Sequence, residues 1–144
     1  TLVERRLPTA NRLLAETHDR IFADYQKTLS DSDTVGRVRK AMMHGLSSGE
    51  LDEARVAAEL HISRRTLQRR LAAAATSFTA LLDETRRELA LRYVGDPAVS
   101  LKEAAYLLGF SEPSNFSRAF RRWTGRSPRA YREGLQDPPR AEEG

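Results

Sequence analysis

The side chains best placed to do chemistry in this chain are arginines, grouped with a glutamine, an asparagine and several serines in two short runs. The first is Arg64-Arg65-Thr66-Leu67-Gln68-Arg69-Arg70-Leu71 and the second Ser114-Asn115-Phe116-Ser117-Arg118-Ala119-Phe120-Arg121-Arg122-Trp123. Arg, Asn and Gln can each make two hydrogen bonds to one base edge, while Ser, Thr, Arg and backbone N–H groups suit phosphate. The chemistry on offer is recognition of a polyanion. In the first run Arg65, Gln68 and Arg69 stand at i, i+3 and i+4 and share one strip of a helix, the expected base readers there. Residues 61–75 contain no acid, unlike the mixed charge of an ordinary solvated helix. In the second run Phe116, Phe120 and Trp123 recur at i, i+4 and i+7 as a buried stripe, leaving Ser114, Asn115, Ser117, Arg118, Arg121 and Arg122 on the other faces. Arg64, Thr66, Ser117, Arg121 and Arg122 are expected to contact phosphate.

Other chemistries find little support. The 144-residue chain has no cysteine, and its three histidines, His18, His44 and His61, have no metal-ligand spacing. A His–carboxylate pair at helical spacing and a Gly-rich phosphate loop are both missing, so no enzyme, cofactor or metal is expected. No apolar stretch approaches the roughly 20 residues of a membrane span, and a reducing cytoplasm is the expected location. The net charge of +4 is unevenly placed: residues 61–136 are strongly basic, whereas residues 1–60 and 137–144 lean acidic. Of the 24 basic residues only Lys27, Lys40 and Lys102 are lysine. Arginine suits forked contacts to phosphate and guanine, although a GC-rich genome would raise its share as well.

The elements that must position these runs are repeated. Val56-Ala57-Ala58-Glu59-Leu60-His61-Ile62-Ser63 parallels Ala104-Ala105-Tyr106-Leu107-Leu108-Gly109-Phe110-Ser111, and the match continues to Leu71 and Phe120 with one extra residue in the later copy. A helix-turn-helix therefore occurs twice, over about residues 52–74 and 100–124. Gly109 can take positive φ at the second turn and His61 stands in its place at the first, as a turn residue rather than a ligand. Ser63 and Ser111 are the expected N-caps of the two basic helices. Asp52, with Leu51 and Val56 as a hydrophobic staple, opens the first unit; the capping box Ser100-Leu101-Lys102-Glu103 opens the second.

Between the units, Thr76 or Ser77 caps a helix striped by Phe78, Leu81, Leu82, Thr85, Leu89, Tyr93 and Val94, which Gly95-Asp96-Pro97 stops. From Ser77 to Val94 such a helix spans about 27 Å, against roughly 34 Å for a turn of B-DNA, so both basic helices could enter successive major grooves. Upstream, residues 9–29 form an amphipathic helix that packs on a neighbouring domain or serves dimerisation. Ser30 to Asp33 is a polar break, and Val35, Val38, Met42 and Leu46 line the next helix. Ser127-Pro128 opens a short last helix through Tyr131, and residues 135–144 read as a disordered tail. The fold class is all-α, about seven helices plus the amino-terminal one. The polar break is the expected boundary between residues 1–31, an upstream segment or linker helix, and residues 32–134, expected to form one DNA-binding domain.

Residues 33–134 resemble the DNA-binding domain of the AraC/XylS family of bacterial transcriptional regulators. The likeness rests on Arg65 to Leu71, Ser77-Phe78, Arg86 to Tyr93, Gly109-Phe110-Ser111, Asn115 to Phe120, and Gly125-Arg126-Ser127-Pro128-Arg129-Ala130-Tyr131-Arg132. The last block is highly specific. The resemblance implies two helix-turn-helix units joined by a long helix, with base contacts from Arg65, Gln68 and Arg69 in the first and from Ser114, Asn115 and Arg118 in the second. His61 departs from the glycine that family members often carry. Leu7-Pro8-Thr9-Ala10-Asn11 resembles the end of an amino-terminal effector domain, which would make this a regulator cut before its linker. Double-stranded DNA is the implied partner. RNA polymerase is a candidate second partner, a small-molecule effector would be bound by the missing amino-terminal domain, and the full-length protein is a candidate dimer. The competing class is a helical interaction module whose Arg faces bind an acidic protein; the repetition of a basic second helix argues against it.

Overall fold

The computed structural model describes residues 8–29, 33–48 and 51–136. Among them the structure is helical with no strand: α1 (Pro8–Lys27), α2 (Thr34–Gly45), α3 (Glu53–Glu59), α4 (Arg64–Ala73), α5 (Phe78–Val94), α6 (Leu101–Leu107), α7 (Pro113–Thr124) and α8 (Pro128–Gln136). The expected all-α architecture holds, with α3–α4 and α6–α7 as the two helix-turn-helix units. The last helix runs to Gln136, beyond the expected start of the tail; residues 137–144, 1–7 and 30–32 lie outside the described residues.

Most helix starts follow the sequence. Asp33, Asp52, Ser63 and Ser77 are N-caps whose side chains accept from Gly36, Arg55, Thr66 and Ala80 amides. Ser100 and Glu103 form the expected reciprocal box, at 3.0 Å and 2.9 Å. Each cap satisfies amides that a helix start leaves unpaired.

The second basic helix starts differently from expectation. Its N-cap is Glu112, with no side-chain cap hydrogen bond, and Ser111 stands one residue too early. The reason is Pro113: a proline holds the preceding residue extended and is itself suited to the first helical position, where its missing N–H costs nothing. Glu112 is accordingly extended, at φ −128° and ψ 130°. The extra residue of the later repeat is thus absorbed before the cap, so Ser63 and Glu112 are structural equivalents.

Both helix-turn-helix turns are Schellman closures. In the first, His61 N–H donates to Ala58 O and Ile62 N–H to Ala57 O; in the second, Gly109 donates to Tyr106 O and Phe110 to Ala105 O. The pivots, His61 at φ 59° and Gly109 at φ 85°, both lie in the left-handed region. Only the second demands glycine on packing grounds, because a Cβ on Gly109 would come within 2.4 Å of the Leu46 carbonyl oxygen. His61 is exposed.

Two apolar clusters form the core. Around the first unit lie Val38, Ala41, Met42, Val56, Ala57, Leu60, Leu67, Leu71 and Leu81. Around the second lie Met43, Leu46, Leu89, Ala90, Tyr93, Val94, Val99, Ala104, Ala105, Leu108, Phe116 and Phe120, together with Ile21 and Tyr25 from α1. Both α2 and α5 contribute to both clusters, so two helices, rather than the joining helix alone, tie the units together. At the crossing, buried Thr85 donates to Leu81 O at 2.8 Å and its hydroxyl lies 3.8 Å from the Met42 sulfur. The α5 helix ends at Gly95 with φ −71°, so no left-handed glycine stops it. Its end is held instead by Arg132 of α8, whose guanidinium donates to Val94 O at 2.9 Å, Tyr93 O at 3.3 Å, Asp96 O at 3.2 Å and Val99 O at 2.6 Å. A cation placed on the last carbonyls both satisfies them and opposes the helix dipole.

The apolar face of α1 is used within the described structure: Ile21 and Tyr25 enter the second cluster, and the His18 imidazole Nδ1 lies 2.5 Å from the Tyr93 hydroxyl. Arg20 pairs with Asp96, and Arg92 lies over the Tyr25 ring at 5.2 Å.

Candidate nucleic-acid interface

The α4 helix buries Leu67 and Leu71 and leaves Arg64, Arg65, Gln68 and Arg69 exposed. Leucines at i and i+4 fix the roll of the helix, and the readers' strip follows from it. The Arg65 and Arg69 side chains carry no hydrogen bond or ion pair to another described residue. Thr66 is half-buried and tied to the helix start: its amide donates to Ser63 Oγ at 3.0 Å, and that hydroxyl lies 2.9 Å from Thr66 Oγ1. Arg64 and Gln68 converge on one carboxylate oxygen of Glu53, at the first turn of α3: Arg64 Nε donates at 2.7 Å and Gln68 Nε2 at 2.6 Å. The bond from Arg64 is the main reason the Glu53 carboxyl is held below its ordinary value; burial opposes it, and the bond from Gln68 adds to the lowering.

In α7, Phe116 and Phe120 are buried as expected, and Ala119 joins them. Ser114, Asn115, Ser117, Arg118 and Arg121 are exposed. The Arg118 guanidinium donates to Asn115 Oδ1. Ser114, Ser117, Arg118 and Arg121 also line a shallow groove with Ser127, whose hydroxyl caps α8 through the Ala130 amide at 3.1 Å. Trp123 departs from the expected buried stripe. It is half-buried, and its indole Nε1–H donates to both Asp83 carboxylate oxygens at 3.1 Å. Arg122, expected on phosphate, donates to the same Asp83 at 2.9 Å.

The two runs of arginine are thus brought to exposed faces of α4 and α7, whose inner faces belong to the two clusters that α2 and α5 join. Four supporting residues were missed from sequence: Glu53, Asp83, Arg86 and Arg132. Glu53 and Asp83 carried no local signal, since their partners lie 11 and 15 positions away for Glu53 and 39 and 40 for Asp83. Arg86 packs its guanidinium 4.9 Å from the centre of the Phe110 ring, under the second turn; burial lowers its pKa, offset by Asp83. Its Nε is buried without a hydrogen-bond partner among the described residues. No group of three or more His, Cys, Asp or Glu among the described residues could hold a metal ion, and no described helix is long and apolar enough to cross a membrane.

Residues 56–134 match the model of a helix-turn-helix domain family, and the chain belongs to that family, as a DNA-binding domain of AraC/XylS type. It is a DNA-binding domain of a transcriptional regulator. Among curated relatives it is 48% identical over 82 residues to the ornithine utilization regulator of Pseudomonas aeruginosa, covering 57% of this chain and 24% of that one. It is 37% identical over 125 residues to the HTH-type transcriptional regulator VirS of Mycobacterium tuberculosis, covering 87% of this chain and 35% of that one. The chain therefore spans between a quarter and about a third of the length of these relatives. Among solved structures, a DNA-binding transcriptional dual regulator from Escherichia coli K-12 superposes with a TM-score of 0.68 at 29% identity, over 74% of this chain and 95% of that one. The C-terminal domain of AraT, a response regulator from Geobacillus stearothermophilus, superposes with a TM-score of 0.61 at 26% identity, over 81% and 98%.

Proposed function

We propose that this chain binds two adjacent major-groove segments of a promoter operator, α4 entering one and α7 the other. Base edges are read by Arg65, Gln68 and Arg69 on α4 and by Ser114, Asn115 and Arg118 on α7. Arg64, Thr66, Ser117, Arg121 and Arg122 lie against phosphate. The observation that carries this reading is the pair of exposed, acid-free helix faces built on clusters that α2 and α5 tie into one core. In the full-length regulator, an amino-terminal part beyond this chain binds a small effector and can pair two subunits. RNA polymerase is the further partner at the promoter, and the cytoplasm is where these meet.

Filter binding to selected operator fragments at two or more salt concentrations tests it. Affinity should fall steeply with salt, each neutralised phosphate adding about −0.9 to the log–log slope. Arg69→Ala and Arg118→Ala should each cost about 1–3 kcal/mol at the specific site and relax preference in different boxes. Arg121→Ala should shallow the slope by about one. A flat salt response, or two folded variants of which only one loses preference, would overturn it.

A further inference from the structure

Gln68 is an ambiguous reader on its own, because its amide presents an acceptor and a donor that a half-turn about the last side-chain torsion exchanges. Guanine's major-groove edge offers two acceptors, O6 and N7; adenine's offers the N6 donor and the N7 acceptor. The outward orientation of the amide therefore decides which purine Gln68 can satisfy.

Glu53 removes that freedom. Its Oε1 lies 2.6 Å from the Gln68 amide, and a carboxylate has only acceptors, so the amide nitrogen and not the carbonyl oxygen must face it. Arg64 donates to the same oxygen at 2.7 Å and keeps the carboxylate ionised and in place. The Glu53 side chain is only 19% exposed, against 65% for Arg64, so it sits under the two side chains rather than beside them in solvent. It does not cap α3, a role filled by Asp52.

We infer that Glu53 is a specificity-determining positioning residue: by holding one Gln68 N–H it turns Oε1 and the remaining N–H outward, an acceptor–donor pair that fits adenine and rejects guanine. This inference rests on the reading of α4 as a groove-entering helix. Guanine would set its O6 against the Gln68 carbonyl oxygen, two acceptors face to face with no shared proton. The release of Glu53 would let the amide turn over and accept either purine.

The test is selection of bound sites from random duplex DNA with the 144-residue chain and its Gln68→Ala, Glu53→Ala and Glu53→Lys variants, followed by competition titrations at the position affected. Gln68→Ala should abolish preference at one position of one box. At that position the unaltered chain should favour adenine over guanine by about tenfold or more, Glu53→Ala should narrow the ratio to about threefold or less, and Glu53→Lys, which offers only donors, should shift it towards guanine. Preferences in the other box are the internal control that each variant is folded. If Gln68→Ala changes no position, the base-reading role of Gln68 fails and with it this inference. If Gln68→Ala does change one position, but guanine is favoured there or Glu53→Ala keeps the adenine preference, only the role of Glu53 fails. A cytosine preference lost in Glu53→Ala but kept in Gln68→Ala would show Glu53 touching a base itself, and would likewise overturn the positioning role.

Discussion

The indole Nε1–H of Trp123 and the carboxylate of Asp83 meet at 3.1 Å across the joint between the second basic helix and the joining helix. Trp123 is the only tryptophan of the chain, and Arg122 donates to the same carboxylate. The carboxylate is thus a strut that sets how α7 leans on α5. Asp83→Ala should lower unfolding free energy by about 1–2 kcal/mol, the cost of leaving a part-buried donor unpaired, with Asp83→Asn losing less because its amide oxygen still accepts. Urea unfolding followed by Trp123 fluorescence checks it. An unchanged midpoint and an unshifted emission maximum would show that the indole is held by its ring contacts instead, Phe110 at 6.4 Å between ring centres and the Arg122 guanidinium at 5.8 Å.

The left-handed residues make unequal demands. Gly109→Ala puts a Cβ against the Leu46 carbonyl in a φ that L-residues disfavour, and should cost about 2–5 kcal/mol. His61→Gly, at an exposed pivot, should stay within about 1 kcal/mol of neutral. Ala75 is a third such site: at φ 62° it closes α4, with Ala75 N–H on Ala72 O and Thr76 N–H on Leu71 O, both 2.9 Å. Ala75→Gly should therefore stabilise by up to about 1 kcal/mol. Thermal unfolding of the three variants checks the order; a destabilised Ala75→Gly would mean that chain entropy outweighs the relieved strain.

Much of this was legible because the signals are local. A cap needs one side chain within three residues of its amide, which is why Asp52, Ser63 and Ser100 could be read directly and Ser77 narrowed to a choice with Thr76, and a stripe such as Phe116 with Phe120 needs only the helical period. Ser111 failed because Pro113 fixes its neighbour's backbone and moves the start by one residue. Arg132 on the end of α5, Asp83 under Trp123, and Leu46 against Gly109 are 38 to 63 residues apart in the chain; no periodicity encodes such pairings. The position of α1 was undecidable for the same reason, since an amphipathic face says that something covers it and not what. The identities of Arg65, Gln68 and Arg69 as readers rest still on residue type and exposure.

His18 couples α1 to the core in a pH-dependent way. Burial lowers its pKa from 6.5, opposed by Asp19, and burial also raises that of Tyr93, so a protonated phenol faces a neutral imidazole. The folded state thus binds the His18 proton less readily than the unfolded chain does. Stability should then decline as pH falls through about 6.5 and level off below the folded-state pKa. Comparing melting temperatures of the chain and its His18→Gln variant between about pH 5 and 8 isolates this contribution. Parallel pH curves would show that His18 titrates alike in both states.

The last expectation concerns the distance between the two boxes. The α5 helix runs unbroken for 17 residues, and the helix beside it, α2, buries Val38, Ala41 and Met42 in one cluster and Met43, followed by the C-cap Leu46, in the other. Bending the joint would open both clusters at once, so it should behave as a rigid ruler. One chain should then protect two boxes about 10 bp apart, centre to centre. Inserting about 5 bp rotates the second box to the far side of the duplex, beyond reach unless the DNA itself bends, and affinity should fall towards that of one helix-turn-helix alone. A further 5 bp should restore the face but not the distance, and so should not rescue binding. Met42→Ala, which empties part of the crossing between Leu81 and Thr85, should soften the ruler and flatten this dependence while costing about 2–5 kcal/mol of stability. Footprinting of the spacer series gives the answer: protection of both boxes at every length would mean that α2 and α5 do not fix the span.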